Sequence, residues 1–229
     1  MRWTALSFDL DDTLWPIAPV MGRAEQALDA WLSLHCPDAH AVWPIERMRG
    51  LRDQVWMEHP DLQHDFTSTR IISLRRALTP HGYGEQHVEG AFEAFFAARN
   101  QVELFPEVRG VLERLAQSHT LIAISNGNAD LRRIGLADLF RFSVHAREHG
   151  KAKPSRCIFD SASTRLGVPA AQILHIGDHP EQDVQAALDA GMAAVWLDRG
   201  LSEWPGAPVV AAPRLRDLNE LELWIARTD

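Results

Sequence analysis

Trp3-Thr-Ala-Leu-Ser-Phe-Asp-Leu-Asp-Asp-Thr-Leu14 opens the chain with an apolar run that turns abruptly acidic. Trp3 to Phe8 is rich in β-formers and reads as a buried strand. Asp9, Asp11 and Asp12 follow, with Thr13 behind them. Three carboxylates at the tip of a core strand repel one another and resist desolvation, so they call for a partner. A divalent cation is the economical one, and magnesium shares itself between carboxylates and a phosphate. On its own the stretch also fits an Asp-rich turn capping the next helix. An EF-hand loop fits poorly, because Thr13 and Leu14 stand where that pattern wants Gly.

Working outward, 229 residues can bury a full core as one large domain or two small ones. Apolar residues make up 46% and charged residues 24%, the balance of a soluble globular enzyme. A net charge of −8 argues against binding nucleic acid or an anionic membrane. No apolar run is long enough to span a bilayer, and the N-terminus does not read as a signal peptide. Cys36 and Cys157 belong to no metal-spacing pattern and read as free thiols of a cytoplasmic protein. Of the 23 Lys and Arg residues only Lys151 and Lys153 are Lys, both within Gly150-Lys-Ala-Lys-Pro154. A compact point charge on a flexible stem differs from a planar guanidinium, so the two Lys hint at a use there, though two occurrences also fit chance.

Helical spacing marks residues 18–36, closed by Pro37, and 44–58, opened by Pro44. Asp65 is a candidate N-cap for a helix to Leu78, and Val88 to Phe96 mark a fourth helix ending near Asn100. The pattern then alternates. Helices are expected at 106–117, 130–134, 155–166, 183–190 and 215–226, and strands at 119–126, 142–146, 172–176 and 193–198. Alternation of this kind predicts an α/β fold: a Rossmann-like parallel sheet with helices on both faces. Ligands bind such sheets at the carboxyl ends of the strands. Three predicted strands end in polar clusters, at Asp9/Asp11, Ser125/Asn126 and Asp178/Asp183, and Lys153 precedes a helix on the same side.

The chain resembles the haloacid dehalogenase superfamily along its whole length. An apolar strand followed by Asp-x-Asp-x-Thr matches Asp9 to Thr13. A strand ending in Ser or Thr matches Ser125, a Lys-Pro before a helix matches Lys153-Pro154, and Gly-Asp with a further Asp matches Gly177-Asp178 and Asp183. Asp12 stands where Gly is common. The resemblance implies a core of residues 1–15 and 101–229 with an inserted all-helical cap of the C1 type at 16–100. It implies Asp9 as the nucleophile, forming an aspartyl-phosphate, and Asp11 as the acid and base. Mg2+ is expected on Asp9, Asp178 and the Asp11 backbone carbonyl. Ser125, the Asn126 backbone N–H and Lys153 are expected on the phosphate. Asp183 is expected to support Lys153 or the metal waters, or else to be only an N-cap for the helix after it.

Members that attack carbon, by resemblance, lack the second Asp. Phosphonate-cleaving members replace it too and use a cap Lys, and residues 16–100 contain no Lys. Phosphomonoester hydrolysis is therefore the expected reaction, on a small phosphorylated metabolite. Within the family the pattern looks most like the bacterial flavin-nucleotide phosphatases, which act on 5-amino-6-(5-phospho-D-ribitylamino)uracil and often FMN. His64-Asp-Phe-Thr-Ser-Thr-Arg70 is the cap stretch that carries this likeness. Trp15 and Trp56 are candidates to stack on a flat heterocycle, and His64 and Arg70 to meet its polar edges. Bundle packing or surface charge is the competing account of all four. A broad-range sugar-phosphate or nucleotide phosphatase, a non-catalytic binding protein and a 2-haloacid dehalogenase remain as alternatives.

Overall fold

The computed structural model describes residues 2–204 and 211–228. In chain order the elements are β1 (Ala5–Phe8), α1 (Ile17–His35), α2 (Pro37–Val42), α3 (Ile45–Glu58), α4 (Phe66–Leu78), α5 (Glu85–Arg99), α6 (Val108–Leu115), β2 (Thr120–Ser125), α7 (Leu131–Ile134), β3 (Ser143–His145), α8 (Ala146–His149), α9 (Arg156–Leu166), β4 (Ile173–Gly177), α10 (Ala186–Asp189), β5 (Ala193–Leu197), β6 (Arg214–Leu215) and α11 (Leu218–Thr228). The six strands form one parallel sheet in the order β3-β2-β1-β4-β5-β6. The strand order turns back between β1 and β4, which is where such sheets bind ligands.

Strand β1 is apolar because both its faces are covered. Ala5 and Ser7 point to one face, and Leu6 and Phe8 to the other. On the first, Ala5 joins a core with Ile122, Ile124, Ile158, Phe159 and Ala162. On the second, Phe8 meets the edge of Phe140. Ahead of the strand, Trp3 stacks on Trp224 of α11.

Packing divides the described residues into two units. One holds the sheet: residues up to 16, 103–127 and from 135 onward. The other holds 17–102 with 128–134. In the helical unit Ala24, Leu28, Leu32, Leu74, Leu78, Val88 and Phe95 share one core. Residues 128–134 join that unit through Asn128, which donates to Thr67 Oγ1 (3.1 Å), and through Asn100, whose Oδ1 accepts from the Asp130 N–H (2.7 Å). Asp65 caps α4 as its position suggests, accepting from the Ser68 N–H at 2.9 Å.

Five elements differ from the sequence reading. Pro37 closes α1 and also opens α2, where its missing N–H costs nothing. The helix expected at 106–117 is trimmed to α6. The one expected at 183–190 begins as a π-helical turn, Pro180–Gln185, before α10. The short β6 and α8 carry too few residues for periodicity to reveal them.

Candidate active site

Asp9 directly follows β1, and its N–H still donates to the Ile176 carbonyl at 2.8 Å, so the sheet ladder fixes its backbone. Beyond it the chain leaves the extended form. Asp12 sits at φ 58, a left-handed conformation that Asp tolerates. Leu14 N–H returns to the Leu10 carbonyl at 2.8 Å, closing a tight loop. The alternation of a strand therefore does not set Asp11. Its carboxylate accepts from the Trp15 indole N–H at 2.9 Å instead.

Lys153 is the centre of the cluster. Its buried Nζ donates to Asp9 Oδ1 (2.5 Å), Asp183 Oδ1 (2.5 Å) and the Ile124 carbonyl (3.1 Å). Asn126 fixes the backbone that carries it. The Lys153 N–H donates to Asn126 Oδ1 at 2.7 Å, and Asn126 Nδ2 donates to the Lys153 carbonyl and to Gln182 Oε1, both at 3.0 Å. Ser125 Oγ accepts from the Gly127 N–H at 3.1 Å. At the end of β4, Asp178 accepts from the Thr13 hydroxyl at 3.3 Å, and its carbonyl takes the Trp196 indole N–H at 2.8 Å. Asp183 is not the N-cap of the helix that follows. His179 is, with Nδ1 accepting from the Glu181 and Gln182 N–H groups. Asp183 instead accepts from Lys153, from His175 Nε2 (3.3 Å) and from the His179 N–H (3.0 Å).

Burial pushes the Asp9 carboxyl up to about 7, against the pull of Lys153 and with a push from Asp183. Burial, then repulsion from Asp9 and Asp183, pushes Asp178 up to about 8. Asp183 goes the other way. Burial opposes its charge, but Lys153 and the His175 hydrogen bond hold it below the usual carboxylate range. Lys153 is likewise raised: its own burial is outweighed by Asp183 and Asp9. Carboxylate oxygens of Asp9, Asp178 and Asp183 lie within 4.8 Å of one another. Two carboxylates that resist ionising side by side suit a hard divalent cation, so the donor set fits a metal ion. The oxygens of Asp183 are already taken by three donors, which leaves Asp9 and Asp178 with oxygens to offer.

The four candidate substrate contacts fare differently. Trp15 belongs to the sheet unit and is buried, with its indole N–H given to Asp11. Trp56, His64 and Arg70 belong to the helical unit. Trp56 is half-buried, and its indole N–H has no hydrogen-bond partner among the described residues. His64 is half-buried. The guanidinium of Arg70 lies 3.5 Å from the centroid of the Phe95 ring, and burial followed by the charge of Arg52 pushes its pKa down to about 9. Ser7, His175, Gln182 and Trp196 escaped the sequence reading, and Thr13 entered it only as the last residue of the Asp-x-Asp-x-Thr match. Ser7 and His175 had one signal: each is the lone hydrogen-bonding side chain in an otherwise apolar strand.

The parallel sheet thus sets one buried ammonium, Lys153, among the carboxylates of Asp9, Asp178 and Asp183 at its central switch point. The chain belongs to the haloacid dehalogenase-like hydrolases, whose family model matches residues 3–191. It is 35% identical over 200 residues to the 5-amino-6-(5-phospho-D-ribitylamino)uracil phosphatase YigB of Escherichia coli, covering 86% of this chain and 84% of that protein. It is 27% identical to the Escherichia coli pyrimidine 5'-nucleotidase YjjG, over 96% of this chain and 98% of that one. Among solved structures, one described as a 2-haloacid dehalogenase from Pseudomonas syringae pv. tomato superposes with a TM-score of 0.90 at 38% identity. That match covers 99% of this chain and all of the other. The chain is thus an enzyme of a family that includes phosphatases of small phosphorylated metabolites. No helix among the described residues is long and apolar enough to cross a membrane.

Proposed function

We propose that this protein is a magnesium-dependent phosphomonoester hydrolase whose substrate is a flavin-pathway phosphate, 5-amino-6-(5-phospho-D-ribitylamino)uracil or FMN. The observation that carries the reading is Lys153, held 2.5 Å from both Asp9 and Asp183 beside the raised carboxyl of Asp178. A carboxylate fixed against a buried cation suits attack on phosphorus, because the developing negative charge meets preorganised positive charge. Asp9 attacks the phosphorus, the bond to the ester oxygen breaks, and an aspartyl-phosphate forms. Asp11 gives its proton to the departing oxygen, then takes one from the water that opens the intermediate. Lys153, the Ser125 hydroxyl and the Asn126 N–H bind the phosphoryl oxygens. Asp9, Asp178 and the Asp11 carbonyl would hold magnesium, which neutralises charge between the carboxylate and a phosphate dianion. Residues 16–100 are proposed as the cap that selects the substrate. The likeness to YigB supports the flavin-type substrate.

A second reading, carbon–halogen cleavage, has the 38% identical neighbour in its favour. Asp11 weighs against it, since a halide leaves without a proton and an alkoxide does not. One panel separates them. Phosphate release is measured from FMN, the pyrimidine intermediate, sugar phosphates and nucleotides, with magnesium or EDTA, alongside chloride release from 2-chloropropionate. The expected result is phosphate release that needs magnesium, that is abolished in Asp9→Asn, and that has its highest kcat/KM on the flavin-type substrates. Higher kcat/KM on sugar phosphates removes the flavin assignment, and chloride release with no phosphate release overturns the phosphatase reading.

A further inference from the structure

Ser7 and His175 are register partners on the two central strands, β1 and β4, and both side chains point to the same face. Both are fully buried. Ser7 Oγ lies 3.0 Å from His175 Nδ1, and His175 Nε2 lies 3.3 Å from Asp183 Oδ1. Phe159 closes the ring in from the side, edge-on at 5.2 Å between centroids. The proposed chemistry uses neither residue, yet a hydroxyl and an imidazole are costly to bury unless their polar atoms are satisfied.

The hydrogen-bond directions follow from valence. Asp183 Oδ1 accepts from Lys153 Nζ, and Oδ2 from the His179 N–H, so this carboxylate is ionised and can only accept. Nε2 of His175 must therefore carry a hydrogen. A neutral imidazole has one N–H, which leaves Nδ1 as the acceptor and the Ser7 hydroxyl as its donor. Burial favours the neutral ring. The line of bonds then runs from Ser7 through His175 to Asp183, on to Lys153, and from Lys153 to Asp9.

We infer that Ser7 and His175 are positioning residues: Ser7 fixes the Nε2–H tautomer of His175, and His175 holds the Asp183 carboxylate where it shares Lys153 with Asp9. The inference rests on the phosphatase reading of Asp9 and Lys153. Asp183 is the counterweight to Asp9 for the single buried ammonium. If its carboxylate swings away, Lys153 pairs with Asp9 alone, and the nucleophile is tied down by its own partner. Substrate binding is kept, because neither Ser7 nor His175 bonds to the phosphate-binding groups Ser125, Asn126 or Lys153, and Lys153 stays charged and held by Asp9 and the Ile124 carbonyl. The loss belongs in kcat and not in KM.

Two measurements test this. Long-range 1H–15N correlation spectra of the unmodified protein at pH 7.5 read the tautomer directly. The expected result is a neutral His175 ring protonated at Nε2, and protonation at Nδ1 overturns the inference. Kinetics on the best phosphate ester of the panel come second. Ser7→Ala and His175→Phe are expected to lower kcat roughly ten-fold or more with KM within about two-fold. Ser7→Thr, which keeps the hydroxyl, should recover most of the loss relative to Ser7→Ala. Should His175→Phe fail to fold, Ser7→Ala and the spectra still decide. Wild-type turnover with an unimpaired Ser7→Ala overturns the positioning role alone. No wild-type phosphate release from any ester overturns the proposed function and the positioning role built on it, even with the expected tautomer present.

Discussion

Gly177 is glycine because Asp183 leaves no room for anything else. A Cβ at 177 would stand 2.3 Å from Asp183 Cγ and 2.5 Å from its Oδ2. The carboxylate is also bound by three donors, so it cannot yield without losing one of them. Gly177→Ala is therefore expected to destabilise the fold by about 1–3 kcal/mol, as overpacking does. It should also lower kcat by an order of magnitude or more, through displacement of Asp183 from Lys153. Denaturant melts and steady-state kinetics check the two effects, and an alanine variant with wild-type kcat would show that Asp183 tolerates being moved. The Gly177-Asp178 pair was legible as a motif, but the reason for its glycine was not. The close approach comes from a residue six positions on, brought back by a π-helical turn that no spacing rule announces. The Trp15–Asp11 bond was illegible for a related reason: a reversing loop hands the indole N–H to Asp11, and a side chain's fate past a strand end is not periodic.

Helices were easier to read. The helices of the second unit show their buried faces as apolar residues three and four apart, and α1, α3, α4 and α5 appear close to where that spacing puts them. What spacing does not give is which helix meets which, and glycine carries that information here. Gly90 on α5 faces Trp31 of α1, where an added Cβ would lie 2.5 Å from the ring carbon Cζ2. Two effects compete in Gly90→Ala. Helix propensity favours Ala by about 1 kcal/mol, and pushing an indole that also stacks on His35 costs about 1–3 kcal/mol. The clash is expected to win, giving a net loss near 1 kcal/mol in chemical denaturation. Gly22 in α1 and Gly50 in α3 meet nothing within 4 Å. Their alanine variants should gain up to about 1 kcal/mol from propensity alone. Equal gains at all three positions would mean that α1 and α5 are not packed against each other as described.

Across the whole molecule, four polar strand tips and loops between residues 9 and 183 meet because the strand order sets β1 beside β4. The sequence showed that strands and helices alternate and that several end in charge. It did not show that one buried lysine is divided between two carboxylates, since that depends on side-chain reach across the sheet. Burial of the cluster has a consequence for stability. Asp9, at about 7, and Asp178, at about 8, both lie above the unfolded value of 3.8. The native chain therefore binds more protons than the unfolded chain between those limits, and its stability falls as pH rises through them. His175 and His179 have lowered pKa values, which gives the opposite slope up to about pH 7.5, where the unfolded imidazoles finish losing their protons. Over the interval from pH 6.5 to 8.5 the two carboxylates outweigh the histidines, and the raised Cys36 thiol acts in the same direction as the carboxylates near the upper end. In EDTA the melting temperature is expected to decline across it. Magnesium binds the ionised pair and stabilises the fold by RT ln(1 + [Mg]/Kd), about 2.7 kcal/mol at a hundred-fold excess over Kd. Because protons compete for the same oxygens, the increment from magnesium should grow with pH over the same interval and largely vanish in Asp178→Asn. A melting temperature in EDTA that rises from pH 6.5 to 8.5, or a magnesium increment that ignores pH, would mean that Asp9 and Asp178 are not the groups that bind the ion.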